Sequence, residues 1–228
     1  MTWRGTTSLA AGGLLLLSAI LQGVASTQRW VDGIAAGNRT DWPIEDHRFD
    51  YTYPSDPWEP IGAAAQLSGL GMVLLGAGII VLAVAVRPTS TAGRVVTLVA
   101  CVAAALPFVL FGAHGALSGL SGTPSPLVWA VTGTAMIVAM VAQIIGLATL
   151  AIVSAIRSIT LSVATAILIA VTPVGYLAAS FLVAPVIAGY QSFDTTPWTE
   201  TVLAAWTAAA ALFVVIGALV LNRRPSER

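Results

Sequence analysis

The stretch that decides the fold is residues 61–86, IGAAAQLSGLGMVLLGAGIIVLAVAV, which runs for 26 residues without a charge. Only Gln66 and Ser68 interrupt its apolar character. The hydrocarbon core of a bilayer is about 30 Å thick and needs about 20 apolar residues per helix. This run therefore predicts a membrane-spanning helix, because a chain in lipid must pair its backbone polar groups internally.

Five further apolar runs accompany this one. They predict helices over residues 8–25, 95–117, 127–154, 159–187 and 201–221. We therefore predict an all-α fold, a polytopic bundle of six transmembrane helices in one domain, 1–228, with a long loop over 27–60. The run 8–25 follows one arginine and ends in small residues, which is also typical of a secretory signal peptide. Its near-spanning length favours an uncleaved first helix.

The composition of the whole chain supports a membrane protein. Of 228 residues, 57% are hydrophobic and 9% are charged, and the mean hydropathy is +0.89. A soluble domain has about 45–50% apolar and about 25% charged residues. The net charge of zero argues against nucleic-acid binding. One cysteine excludes an intrachain disulfide framework and a CxxC redox pair.

The placement of the arginines predicts the orientation. With the amino terminus in the cytoplasm, the cytoplasmic segments hold seven arginines and one glutamate, a net charge of +6. The other side then holds three arginines and nine carboxylates, a net charge of −6. This distribution follows the positive-inside rule. It predicts cytoplasmic amino and carboxyl termini and an extracytoplasmic loop. The absence of lysine from the sequence indicates a GC-rich bacterial genome, and hence the bacterial plasma (inner) membrane.

The loop 27–60 is rich in aromatic residues, prolines and carboxylates, which predicts an ordered lid over the bundle. Its carboxylates and imidazole are ligand types for a hard or borderline cation. The candidate metal ligands are Asp41, Glu45, Asp46, His47 and Asp50. Their spacing matches neither an EF-hand nor HExxH. The alternatives are a solvated acidic loop paired with Arg39 and Arg48, and a docking surface for a partner.

Three polar side chains within the helices are candidate ligand-binding residues. His114 is the only group within the six spans that titrates near neutral pH, and such a residue is by default a functional hypothesis. The alternative is a neutral histidine that hydrogen-bonds a neighbouring helix or the lid. Gln143 lies near the middle of the fourth run, where an amide either bridges helices or lines a path. Tyr176 follows Pro173, which predicts a kink in the fifth run.

These observations predict a non-enzymatic binding or accessory protein whose outer loop contacts a protein partner or a small ligand. No GxSxG, HExxH or Walker motif is present, and we expect no cofactor. One alternative is a small transporter or channel with a path near the third to fifth helices. Another is an enzyme that uses the loop carboxylates and His47. Small residues four apart, such as Ala142 and Gly146, also permit an oligomer.

Overall fold

The structure is a computed structural model that describes residues 2–34 and 43–223. Within these ranges it contains helices and loops and no strand. The α-helices are α1 (Trp3–Thr27), α2 (Ala64–Val86), α3 (Thr91–Ser121), α4 (Gly133–Ala155), α5 (Ile159–Ile167), α6 (Pro173–Ala178), α7 (Ala184–Ala188) and α8 (Thr199–Arg223). Short π and 3-10 segments extend or connect them. A π segment, Gln28–Gly33, continues α1, and another, Ala179–Val183, joins α6 to α7.

Five of these helices are long and apolar enough to span a membrane. They are α1 with its π extension, α2, α3, α4 and α8. The segment from α5 to α7 adds a sixth span if its two bent halves are taken together. The prediction of an all-α bundle of apolar helices is thus confirmed at the level of five or six potential spans.

The fifth apolar run differs from the prediction of one helix over 159–187. It forms two helical halves, Ile159–Val171 and Pro173–Ala188, which meet at an angle of 69°. Thr172 lies between them in an extended conformation, with φ −72° and ψ 168°. Pro173 then starts α6 at its first position, where a proline ring is well tolerated because no N–H is needed. The break is therefore a new helix start and not a kink within one helix.

The other helix boundaries differ from the sequence expectation because polar caps extend or delay the helices. Thr2 accepts a hydrogen bond from the Gly5 N–H at 3.1 Å, so α1 starts before residue 8. Ser90 does the same for the Gly93 N–H at 3.2 Å and starts α3 early. The run that starts at residue 127 first forms a 3-10 turn, Pro126–Val131. The chain then changes direction at Gly133, whose φ is +57°, and α4 begins there.

The long helices form a closed ring. Each of α1 to α5 packs against its neighbours in sequence, and α8 fills the place between α5 and α1. The main core consists of small and aliphatic side chains that these helices point inward, among them Leu15, Leu75, Leu147 and Val214. Close approach depends on glycine: a Cβ on Gly69 of α2 would lie 2.3 Å from the Ala116 nitrogen of α3.

The ring has two chemically different ends. The loop end is formed by residues 28–34, 43–63, 122–132 and 189–200, and it holds every carboxylate that the structure describes. The arginine end, formed by residues 2–4, 87–94 and 156–158, holds Arg4, Arg87, Arg94 and Arg157. At the arginine end the Thr2 nitrogen donates to Asn222 Oδ1 at 2.9 Å, which joins α1 to α8. Polar chemistry is therefore concentrated at the loop end.

Candidate functional site

Two segments cover the loop end, residues 43–63 and 189–198, and we call them together the cap. They are held to each other by hydrogen bonds that main-chain N–H groups donate. The Thr195 nitrogen donates to the Glu45 carbonyl oxygen at 3.1 Å. The His47 nitrogen donates to Asp194 Oδ2 at 2.8 Å, across 147 residues of sequence. The two segments thus form one continuous surface.

Aromatic side chains anchor the cap on the helices. Phe49, Tyr51 and Trp58 are buried, and the last two pack on the alanines at the adjoining ends of α1 and α2. Burial of its hydroxyl raises the pKa of Tyr51 well above its usual range, so the ring stays neutral. Each aromatic ring buries a large apolar area, which favours an ordered cap over a solvated loop.

Beneath the cap lies a buried ionic group, which we call the Arg29 cluster: Arg29, Trp30, Asp50, Thr195 and Glu200. The π segment at the end of α1 turns Arg29 and Trp30 inward, and π segments of this kind are frequent at functional sites. The Arg29 side chain has no exposed surface. Its Nη1 donates to a carboxylate oxygen of Asp50 and, at 2.9 Å, to Glu200 Oε1.

The remaining donors of the Arg29 guanidinium bind the cap backbone. Nε and Nη2 donate to the Ile44 carbonyl oxygen at 3.2 and 3.1 Å, and Nη2 also approaches the Asp46 carbonyl oxygen at 3.3 Å. Arg29 therefore links α1 to residues 44–50 of the cap and to the first turn of α8. Three segments that are distant in sequence meet at one side chain.

The Arg29 cluster holds one cation and two carboxylates, so each carboxylate needs further donors. Trp30 Nε1 donates to Glu200 Oε2 at 2.7 Å. Thr195 Oγ1 donates to Asp50 Oδ1 at 2.9 Å. The Arg29 guanidinium also lies 4.5 Å from the centroid of the Trp30 ring, a favourable cation–π distance. Such a network resists opening, because a buried charge that loses its partner is costly.

His114 connects α3 to both neighbouring loops. It is fully buried, and its Nδ1 lies 2.8 Å from Ser125 Oγ. Its Nε2 lies 2.8 Å from the Pro54 carbonyl oxygen. Because a carbonyl can only accept, Nε2 carries the proton and donates it to this oxygen. Nδ1 of the neutral ring is then the acceptor for the Ser125 hydroxyl. This arrangement gives His114 a complete set of partners as a bridge between α3 and the cap.

The two other candidate ligand-binding residues, Tyr176 and Gln143, have different surroundings. Tyr176 is half-buried, and its ring meets that of Tyr53 edge to face at 5.8 Å between centroids. Tyr53 in turn contacts Phe111 at 5.7 Å, so an aromatic row runs below the cap. Gln143 is fully buried in α4, and neither polar atom of its amide has a hydrogen-bond partner among the described residues.

The candidate metal ligands divide among three environments. Ligand atoms of Asp46, His47 and Asp194 lie within 4.8 Å of one another. Asp50 forms an ion pair with Arg29 in the Arg29 cluster. Glu45 accepts a hydrogen bond from the Tyr190 hydroxyl, and this bond raises the pKa of Tyr190 to about 12. Asp41 lies outside the described residues. The five predicted ligands are therefore not brought together in the described part of the chain.

Arg29, Trp30, Asp194, Thr195 and Glu200 were not singled out as site residues by the sequence. A signal was present for two of them. Arg29 stands at the end of an apolar run on the predicted acidic side, where the positive-inside rule disfavours arginine. Glu200 is the carboxylate at the start of the last apolar run. Charges at the edges of spans on that side are candidates for mutual pairing.

The fold and the cap define a class: a helical bundle with several potential membrane spans and one polar, ordered end. Comparison with protein families, with curated proteins and with solved structures finds no match to this chain.

Proposed function

We propose that the chain is a multi-pass protein of a bacterial plasma (inner) membrane, with the loop end outside and the arginine end in the cytoplasm. The support is the separation of charge along the ring. Four arginines and no described carboxylate lie at the arginine end, whereas eight described carboxylates lie at the loop end. Arginine retained on the cytoplasmic side is the strongest sequence determinant of orientation.

We further propose that the protein is a non-enzymatic binding or accessory protein whose cap binds a partner at the outer face. The observation that carries this proposal is the Arg29 cluster, which ties the cap to α1 and α8 through buried hydrogen bonds. A surface that is ordered before binding loses less conformational entropy when a partner arrives. On this surface Tyr190 and Phe193 are 49% and 75% exposed, beside the carboxylates Glu45 and Asp194. Exposed aromatics in a polar frame are typical anchors of protein interfaces, which favours a protein partner over a small ligand.

The test is a photoreactive amino acid in place of Phe193, introduced into cells that produce the protein. We expect one discrete protein adduct from this position. The matched control is the same amino acid in place of Ile145, which is 60% exposed on α4 away from the cap. Asp194→Asn is expected to reduce the Phe193 adduct, and Asp32→Asn, outside the cap, to leave it unchanged. Identical adducts from both positions would contradict the proposal.

A small transporter or channel is the second candidate, and the break at Thr172 favours it. Discontinuous helices line the substrate sites of many secondary transporters. The unpartnered amide of Gln143 also offers polar contacts in the bundle interior. Flux of ions and small metabolites into liposomes containing the purified protein tests this candidate. A flux that Gln143→Leu abolishes while the variant remains folded would favour transport over binding.

A further inference from the structure

A groove opens between α2 and α3 at the arginine end, opposite the cap. It encloses a cavity of about 340 Å³, within the range of about 300–1,000 Å³ that small-ligand sites occupy. Arg87 and Arg94 line the part of the groove at the arginine end, where α2 ends and α3 begins. Ile80, seven residues before Arg87, and Cys101, seven residues after Arg94, line the part of the groove nearer the middle of the bundle. Seven residues of helix correspond to about 10 Å, so the groove is an elongated slot.

The groove opens sideways, on the outer surface of the ring. Ile80, Val84 and Leu98 line it and are 46%, 41% and 64% exposed. In a bundle that spans a membrane, this surface faces the acyl chains of lipids. The apolar slot therefore matches a hydrocarbon chain better than a water-soluble molecule, which would have to cross lipid to reach it.

The two arginines of the groove form no ion pair with any described carboxylate. Among the described residues no carboxylate forms an ion pair with Arg87 or Arg94, since every described carboxylate lies at the loop end. Arg94 Nε lies 3.4 Å from the Pro88 carbonyl oxygen, which holds this side chain beside the turn between α2 and α3. Arg4 Nη2 approaches the Arg87 carbonyl oxygen at 3.5 Å and brings a third guanidinium to the same place.

We infer that this groove binds one anionic phospholipid of the cytoplasmic leaflet. The phosphate lies between the guanidinium groups of Arg87 and Arg94, and one acyl chain follows the groove toward Ile80 and Cys101. Guanidinium groups bind phosphate oxygens through paired hydrogen bonds, and basic pockets between transmembrane helices are suited to anionic headgroups. The start of α3 adds the favourable end of a helix dipole. The inference rests on the proposed membrane placement and is independent of the proposed role of the cap.

The experiment compares the lipids that remain bound after extraction. Purified full-length protein is reconstituted in vesicles of equal parts phosphatidylcholine and phosphatidylglycerol, extracted in mild detergent and measured by native mass spectrometry. We expect one retained phosphatidylglycerol. The double variant Arg87→Gln and Arg94→Gln should lower its retention relative to phosphatidylcholine about 25-fold, at about fivefold for each arginine. Arg157→Gln removes an arginine from the same end outside the groove and should leave the retention unchanged.

A second variant tests the groove without changing charge. Val84→Trp places a large ring in the slot at a position that is 41% exposed, and should also reduce retained phosphatidylglycerol. Equal retention by wild type and the double variant would overturn the inference. Displacement of the lipid by inorganic phosphate in millimolar excess, with Val84→Trp having no effect, would overturn it in favour of a simple anion site. Failure of the protein to float with the vesicles would instead contradict the membrane placement.

Discussion

All three side-chain nitrogens of Arg29 donate hydrogen bonds. Its guanidinium is fully buried and shared between Asp50 and Glu200, and its other donors bind the cap backbone. A buried ion pair is not in itself strong evidence of stability, since desolvation of the charges offsets their attraction. The two carboxylates of the Arg29 cluster depend on the arginine, because without it their negative charges have no described cation beside them. This asymmetry makes the residue a sensitive probe of the cap.

The first prediction concerns this cation. Arg29→Met is expected to lower the free energy of unfolding by about 3–5 kcal/mol, because the buried carboxylate of Glu200 and the partly buried carboxylate of Asp50 lose their charged partner. Arg29→Lys is expected to fall between wild type and Arg29→Met, since an ammonium restores the charge but not the forked hydrogen bonds to two acceptors. Unfolding of the purified protein in mixed micelles, titrated with sodium dodecyl sulfate, measures the difference.

A control shows whether the loss of stability comes from the burial of Arg29 or from the loss of any one arginine. Arg87→Gln removes an exposed arginine at the opposite end and should change the free energy of unfolding by no more than about 0.5 kcal/mol. If Arg29→Met is as small in effect as Arg87→Gln, the cluster does not hold the cap in place.

The residues of the site were only partly predictable from sequence. His114 stood out as an ionisable side chain in an apolar run, and the structure supplies its two partners, Ser125 and Pro54. The pairing of Arg29 with Glu200 crosses 171 residues and depends on how α8 closes the ring against α1. No local pattern encodes that neighbourhood, so an edge charge could be noticed but its partner could not be assigned.

At the scale of elements, α2 and α3 owe their close contact to facing glycines. A Cβ added to Gly69 would lie 2.5 Å from the Gly112 carbonyl oxygen, and one added to Gly112 would lie 2.5 Å from the Gly69 carbonyl oxygen. Both clashes involve backbone atoms, which cannot rotate away. Without a hydrophobic driving force between helices in lipid, such close packing is a main source of association.

The second prediction tests this contact. Gly69→Ala should separate α2 from α3 and lower the free energy of unfolding by about 1–3 kcal/mol, the usual cost of overpacking. Gly13→Ala on α1 is the matched control, because nothing lies within 4 Å of its added Cβ. In that position alanine should be neutral or stabilising by about 0.5–1 kcal/mol through helix propensity. Equal effects of the two changes would contradict the tight-contact interpretation.

Helix continuity was predictable where apolar runs are uninterrupted and not where proline occurs. Pro107 lies inside α3, which continues through it, whereas Pro173 begins a new helix after the extended residue Thr172. Both prolines stand in similarly apolar sequence. The difference arises from packing: a Cβ on Gly175 would lie 1.9 Å from the Ala170 carbonyl oxygen, a proximity that belongs to the bent geometry. Sequence thus indicated a disturbed fifth run but not its 69° angle.

At the scale of the whole molecule, the net charge of zero resolves into two opposed ends. Eight described carboxylates with Arg29 and Arg48 lie at the loop end, and Arg4, Arg87, Arg94 and Arg157 lie at the other. This separation along the helices was readable from sequence, because alternate connections of an antiparallel bundle fall at the same end. With the arginine end in the cytoplasm, the cap faces outward and the groove between α2 and α3 faces the cytoplasmic leaflet.

The last prediction tests that orientation with two exposed threonines at opposite ends of α3. Thr123 lies in the loop after α3, and Thr89 lies in the turn before it. In intact cells a membrane-impermeant maleimide should label Thr123→Cys, and should label Thr89→Cys only after permeabilisation. The native Cys101 is buried in the wild type and provides a low background. Because both changes are threonine to cysteine, neither alters a charge that determines topology. Labelling of Thr89→Cys alone in intact cells would reverse the orientation, and the cap would then face the cytoplasm with its partner.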